Sequence, residues 1–343
     1  AEPVAKGDLP GHRFHGNQWT GGIGGGGVVG ATATTEMTFQ SSRPNVKMPT
    51  KAERRAMYGD TPDKIVASIM RMFPSIQDNG FGICGFGASD DVLFGPKYYP
   101  VRHEFDVDTL TAIAAGLDVV SKRYPDQAAQ VEHITGFFGG FSASKAHYDP
   151  RRPQDYDQML AMYVSGCLAF TGISNGSRAS MGAEMNFHGL RPSKKNGRPA
   201  DAKAFAVAIH EFGHVMHSYR VWRDNDRDAG RIMEVTGDDP ALSSALEQER
   251  KLHPDYYSAT NTSELAAEEF AAEVLGPVKG PTQKRSKNTP WHSEIIDYIT
   301  TGKRRVGLSK SDGRFTGIVS IDPDHPLSFA NLYAQEHEAE DEA

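Results

Sequence analysis

The stretch "AVAIHEFGHVMHSY", residues 206–219, constrains this chain more than any other. On an α-helix, residues i and i+4 lie about 40° apart and one turn up. His210 and His214 therefore point the same way and can offer two imidazole nitrogens to one ion. Glu211 stands about 100° round the same helix. It is suited to take a proton from water that the metal activates, and less suited to ligate. The flanking "FAVAI" and "VM" make the helix apolar on most sides. That predicts a buried carrier from about residue 201 to 219, with Asp201 as its cap. Two histidines and a glutamate inside a buried helix are costly unless something compensates them, and a metal does. The expectation is a Zn2+ site with His210 and His214 as ligands and Glu211 as general base. A pair satisfied by ordinary hydrogen bonds is the competing reading.

A catalytic zinc takes three protein ligands and keeps one position open. The pattern H-E-x-x-H-x-x-G-x-x-H is not met, because His217 stands in place of its glycine and Arg220 in place of its third histidine. His217 lies one turn beyond the pair, so a core role suits it better. Glu234 and Asp238 have the Glu-x-x-x-Asp spacing of the thermolysin group, but Gly237 and Pro240 make that stretch a poor helix. Glu264 lies in "YYSATNTSELAAEEFAAE", where a helix from about 262 to 275 is expected, ended by Gly276 and Pro277. Asn261 or Thr262 can cap that helix, with Glu264 then serving in a capping box.

Tyr257, Thr260, Glu264, Ala267, Glu268 and Phe270, downstream of "HEFGH", form a pattern that resembles the metal-binding region of the anthrax toxin lethal factor family of zinc peptidases. The similarity covers residues 200–275. It implies Glu264 as third ligand and Tyr257 as the phenol that steadies the oxyanion. Tyr256 and His253 stay open as alternatives to Tyr257. It also implies that Glu268 accepts from a ligating imidazole, a common device for fixing a metal-bound histidine. The implied fold is α+β: a zincin-like metallopeptidase domain whose mixed sheet packs on the active-site helix. An edge strand there receives an extended peptide, and "ASMGAEMNF", residues 179–187, is the expected edge. The implied function is a zinc-dependent endopeptidase acting on a protein or peptide substrate.

The rest of the chain frames this core. Residues 1–60 read as a flexible glycine-rich arm. Within it, "GHRFHGNQWTGG" resembles a short element of phage head and portal-associated proteins. That resemblance implies an arm that meets phage structural proteins, and a setting in a virion or a host cytoplasm. A toxin-like effector is the other setting considered, and a structural virion component with a zincin fold and little turnover is the alternative function. Residues 61–335 are read as the catalytic domain and 336–343 as a disordered acidic tail. Thr61 and Pro62 open one helix, and "DVDTLTAIAAGLDVVSKRYP" forms another, closed by Pro125. Strands or mixed elements are expected near "VEHITGFFGGF" and "MYVSGCLAFTGI", and helices near 241–252 and in "PWHSEIIDYITTG". The formal net charge of −7 over 343 residues argues against general nucleic-acid binding. Cys84 and Cys167 show no CxxC spacing, which argues against a cysteine zinc site. No apolar run reaches membrane-spanning length.

Overall fold

The computed structural model describes residues 45–78, 105–135, 169–173, 178–187, 190, 201–227, 236–276, 278, 291–302 and 325–341. Residues from Asn45 onward belong to one compact unit. Among the described residues the architecture is α+β: helices dominate, and one small sheet lies beside the longest of them. Residues 1–44, with the glycine-rich element, lie outside the described residues, as do Cys84, Cys167 and Glu234.

The central helix is α6, Asp201–Asp224, if helices are numbered from α1 (Lys51–Tyr58) through α2 (Pro62–Met72), α3 (Pro74–Asp78), α4 (Val107–Arg123) and α5 (Pro125–Ala128). Helix α6 is buried on nearly every side, as a core helix without a polar face must be. It packs against α4, against α8 (Thr262–Leu275) and against α10 (Phe329–Asp341). The remaining helices are α7, Ser243–Leu252, and α9, His292–Thr301. Helix α6 runs past the expected end at 219 because Val221 and Trp222 continue its apolar surface. It stops before Asp226 and Arg227, whose φ values of 55° and 59° no helix accommodates.

Packing at the α4–α6 crossing is close. A Cβ on Gly116 would lie 2.7 Å from the carbonyl oxygen of Phe205, so glycine is needed there. Asp106 caps α4 by accepting from Thr109 N–H at 2.9 Å. Tyr124 ends that helix just before Pro125, as the sequence indicated, and Pro125 then opens the short helix α5, which the sequence reading did not include. Thr61 holds the cap position of α2 with Pro62 behind it, although its side chain makes no capping hydrogen bond.

Strands β1 (Val131–Thr135), β2 (Phe170–Ile173) and β3 (Ala183–Asn186) form a sheet in the order β1-β3-β2. β3 is parallel to β1 and antiparallel to β2, so the sheet is mixed. This corrects one expectation: the strand within residues 179–187 is central, because both of its hydrogen-bonding sides are taken. Among the described residues the edge strand against α6 is β2.

Two boundaries also move. Residues 45–60 are part of the folded unit and not of an arm. Thr50 and Glu53 form a capping box at the start of α1. Arg54, fully buried, donates to Pro49 O at 2.7 Å and pairs with Asp201, tying α1 to the start of α6. Asp201 is thus an ion-pair partner in the first turn. At the other end, α10 continues to Asp341, through most of the stretch expected as a disordered tail. No helix among the described residues is long and apolar enough to cross a membrane.

Candidate metal centre

His210, Glu211 and His214 sit midway along α6, on the stretch that faces α8. Gly213 allows the two helices to approach. A Cβ there would lie 2.7 Å from Ala267 Cα and 3.1 Å from its carbonyl oxygen, both atoms of the α8 backbone. The start of α8 is fixed by Asn261, whose side chain accepts from Glu264 N–H at 2.9 Å. Asn261 is therefore the cap, and the Glu264 side chain is turned to the histidines.

Glu264 Oε2 lies 3.3 Å from His210 Nε2 and 3.4 Å from His214 Nε2. His210, His214 and Glu264 can each offer one ligand atom within 4.8 Å of the others, the one such group among the described residues. Two ligand atoms about 2.0–2.2 Å from a tetrahedral zinc are about 3.3 Å apart. The residues therefore fit the ion. Glu264 Oε2 is buried with no hydrogen-bond partner among the described residues, an expensive condition unless a cation completes it.

Each of the two histidines has a partner behind it. His214 Nδ1 lies 2.9 Å from the hydroxyl of Ser263. His210 Nδ1 is 3.0 Å from Glu268 Oε1, an ion-pair contact that is off the line of a hydrogen bond. Glu268 is anchored by the first N–H of α10: Phe329 N–H donates to its two oxygens at 2.8 and 3.0 Å. The general-base candidate, Glu211, accepts at Oε2 from the Thr171 hydroxyl at 2.8 Å. Thr171 comes from the edge strand β2.

The electrostatics follow from these contacts. Burial alone pushes the His210 imidazole down, but Glu264 and Glu268 outweigh it and lift it to about 10. Burial would raise Glu264, yet His214 and His210 hold its carboxyl well below the usual range. Burial raises Glu211, only partly countered by His214, His210 and Thr171. Without a metal, the site thus holds a proton on His210 among buried carboxylates. A divalent cation between the same atoms supplies positive charge there in place of that proton.

Tyr257 is buried, and its ring centroid is 6.1 Å from that of His210. Burial and then the carboxylates of Glu264, Glu211 and Glu268 keep its phenol protonated. It sits in a 3-10 turn, Tyr257–Ala259, braced by Arg250 on the carbonyls of Ala259 and Thr260. Glu249 braces the same turn by accepting from Ser258. The alternative donors Tyr256 and His253 stack on each other, 5.1 Å apart, and His253 also meets Trp291 edge-on. His217 is a core residue: its Nε2 lies 2.9 Å from Asp239 Oδ2, which also accepts from Tyr298. Asp238 is exposed and outside the cluster.

Sequence reasoning missed Thr171, Ser263, Phe329 and His325, whose ring stacks on Tyr257 at 5.9 Å. Of these only Ser263 carried a signal, since it adjoins the expected ligand Glu264. The chain matches no protein-family model, no curated protein and no solved structure. The likeness to lethal factor peptidases therefore rests on the residues of 200–275 themselves.

Proposed function

We propose that this chain is a zinc-dependent endopeptidase with a zincin-like catalytic domain. The observation that carries the reading is the placement of His210 Nε2, His214 Nε2 and the orphaned Glu264 Oε2 at the spacing of a tetrahedral ligand set. Two imidazoles and one carboxylate are a donor set of catalytic zinc. Zinc, when bound, supplies a Lewis acid that polarises a peptide carbonyl and brings the pKa of water near 7.

The chain's own residues do the rest. Glu211, raised by burial, accepts the proton of the attacking water and passes it to the leaving amine. The Thr171 hydroxyl keeps that carboxylate aimed. Tyr257, protonated and close to His210, donates to the carbonyl oxygen as negative charge develops on it. Strand β2, an edge strand among the described residues, offers its outer side to an extended peptide, and Thr171 ties that strand to the base. The element at residues 11–22 supports a phage setting, virion-carried or in head assembly, with phage structural proteins as partners of the arm.

Elemental analysis should find one zinc per chain. Glu211→Gln should keep it while hydrolysis of fluorescent casein falls about 10²–10⁴-fold. Glu264→Ala should lose the metal. A metal-free wild type, or a Glu211→Gln protein that cuts casein normally, removes the proposal.

A further inference from the structure

Asp239 is a buried acid that the peptidase chemistry does not use. Its Oδ2 accepts from Tyr298 O–H at 2.7 Å and meets His217 Nε2 at 2.9 Å. Its Oδ1 accepts from Ala241 N–H at 2.9 Å. Burial pushes the carboxyl up, but His217, Ala241 and Tyr298 outweigh it and keep it below the usual range. An ionised carboxylate only accepts, so His217 Nε2 carries the proton and donates it. His217 Nδ1 is buried with no hydrogen-bond partner among the described residues. The contact with Asp239 is therefore the polar contact that holds the ring.

The backbone of the same residue reaches α8. Asp239 N–H donates to the Thr262 hydroxyl at 2.8 Å. Thr262 is fully buried and is the first residue of α8. The next two residues are Ser263, which meets His214 Nδ1, and Glu264, the third candidate ligand. On α6, His217 stands one turn beyond His214. Asp239 thus joins the turn of α6 after His214 to the residue of α8 before Ser263 and Glu264. Apolar side chains of similar volume would hold these elements together at a lower desolvation cost. Hydrogen bonds also fix how far one helix sits along the other, and a ligand set must be held within about 0.5 Å.

We propose that Asp239 is a positioning residue of the metal centre. Through His217 and Thr262 it sets the start of α8 against α6, so that Ser263 and Glu264 meet His214. It touches neither the metal nor a substrate. The inference rests on the reading of His210, His214 and Glu264 as ligands, and is independent of what the centre cuts.

Full-length protein stripped of metal is titrated with zinc against a chromophoric chelator. A second titration uses cobalt(II), whose visible absorption bands report the ligand geometry. Thr262→Val keeps the shape and removes the acceptor for Asp239 N–H. It should weaken zinc about 10–100-fold and change the cobalt bands. Thr262→Ser keeps the hydroxyl and should restore most of the affinity and the wild-type bands. Asp239→Asn cannot serve Ala241, Tyr298 and His217 together and should weaken zinc as Thr262→Val does. The double variant should lose little more than either single one, because both break one connection. Urea unfolding shows which variants are folded. Should Asp239→Asn not fold, Tyr298→Phe removes a single donor and should give a smaller loss of zinc affinity. Gly116→Ala, at the α4–α6 crossing, is the control for destabilisation alone and should bind zinc as the wild type does. Wild-type affinity in Thr262→Val, a loss in Thr262→Ser as large as in Thr262→Val, or an equal loss in Gly116→Ala overturns the positioning role. A protein that binds zinc and cuts casein with affinities indifferent to Thr262 and Asp239 keeps the peptidase reading and loses this one. One whose zinc affinity follows these residues but that never cuts casein keeps the positioning role and loses the peptidase reading. A wild type that binds neither metal loses both.

Discussion

Two buried histidine–glutamate clusters share helix α8, and their residues have opposite needs. At Glu264 a carboxylate oxygen is left without a hydrogen bond between two imidazoles, an arrangement that a cation completes. At Glu269 and Glu273 the carboxylates meet both nitrogens of His292: its Nδ1 lies 2.5 Å from one carboxylate and its Nε2 3.1 Å from the other. Burial pushes His292 down, but the two glutamates outweigh it and hold the ring at about 9, against 6.5 ordinarily. A proton that binds the folded state more tightly stabilises it, here by roughly 3 kcal/mol. That contribution is complete below about pH 6.5 and is lost as pH rises through about 9. Urea midpoints measured from pH 6 to 9.5 should fall towards the alkaline end. His292→Gln should lower the midpoint at pH 6 and flatten the fall. Parallel curves for the two proteins would show that the proton is not held there.

At the scale of elements, the crossing of α6 and α8 brings Glu264 to His210 and His214. Gly213→Ala places a methyl against the Ala267 backbone, which cannot swing aside as a side chain can. The helices must part, at a cost of about 1–3 kcal/mol. Zinc affinity should fall at least tenfold in competition with a chromophoric chelator. Gly116→Ala, at the α4–α6 crossing, should destabilise comparably and leave zinc affinity unchanged. Equal affinities for wild type and Gly213→Ala would disconnect the crossing from the site. The crossing also shows what was legible. The spacing of His210 and His214, the helix of Glu264 and its cap at Asn261 are local patterns, and periodicity and capping chemistry expose them. The support of the site is not local. Thr171 is forty positions before Glu211, and Phe329 acts through a backbone N–H that no side-chain identity announces. Whether β3 is an edge depends on which strands pair with it, and its own letters do not say. Helix α1 is a different case, since Thr50 and Glu53 spelled a capping box inside the supposed arm.

For the whole molecule, α6 is the hub against which α4, α8 and α10 pack, and a bound metal would add a tie between α6 and α8. Ligand that binds only the folded chain stabilises it by about 4 kcal/mol at a thousandfold excess over Kd. Chelation should therefore lower Tm, and added zinc should restore it. In Glu264→Ala protein the Tm should ignore both treatments. An equal response in that variant would place the stabilising metal elsewhere.

The anchoring of Glu268 by Phe329 N–H also orders events in time. The motif helix is made first, and the N–H that anchors Glu268 behind His210 belongs to a helix made later. At about 5–20 residues per second, on the order of ten seconds separate Glu211 from Phe329. Through that interval Glu268 stands behind His210 without its anchor, so a growing chain carries an unfinished site. Assembly of the centre is thus tied to synthesis of α10, and the brace that completes it arrives last.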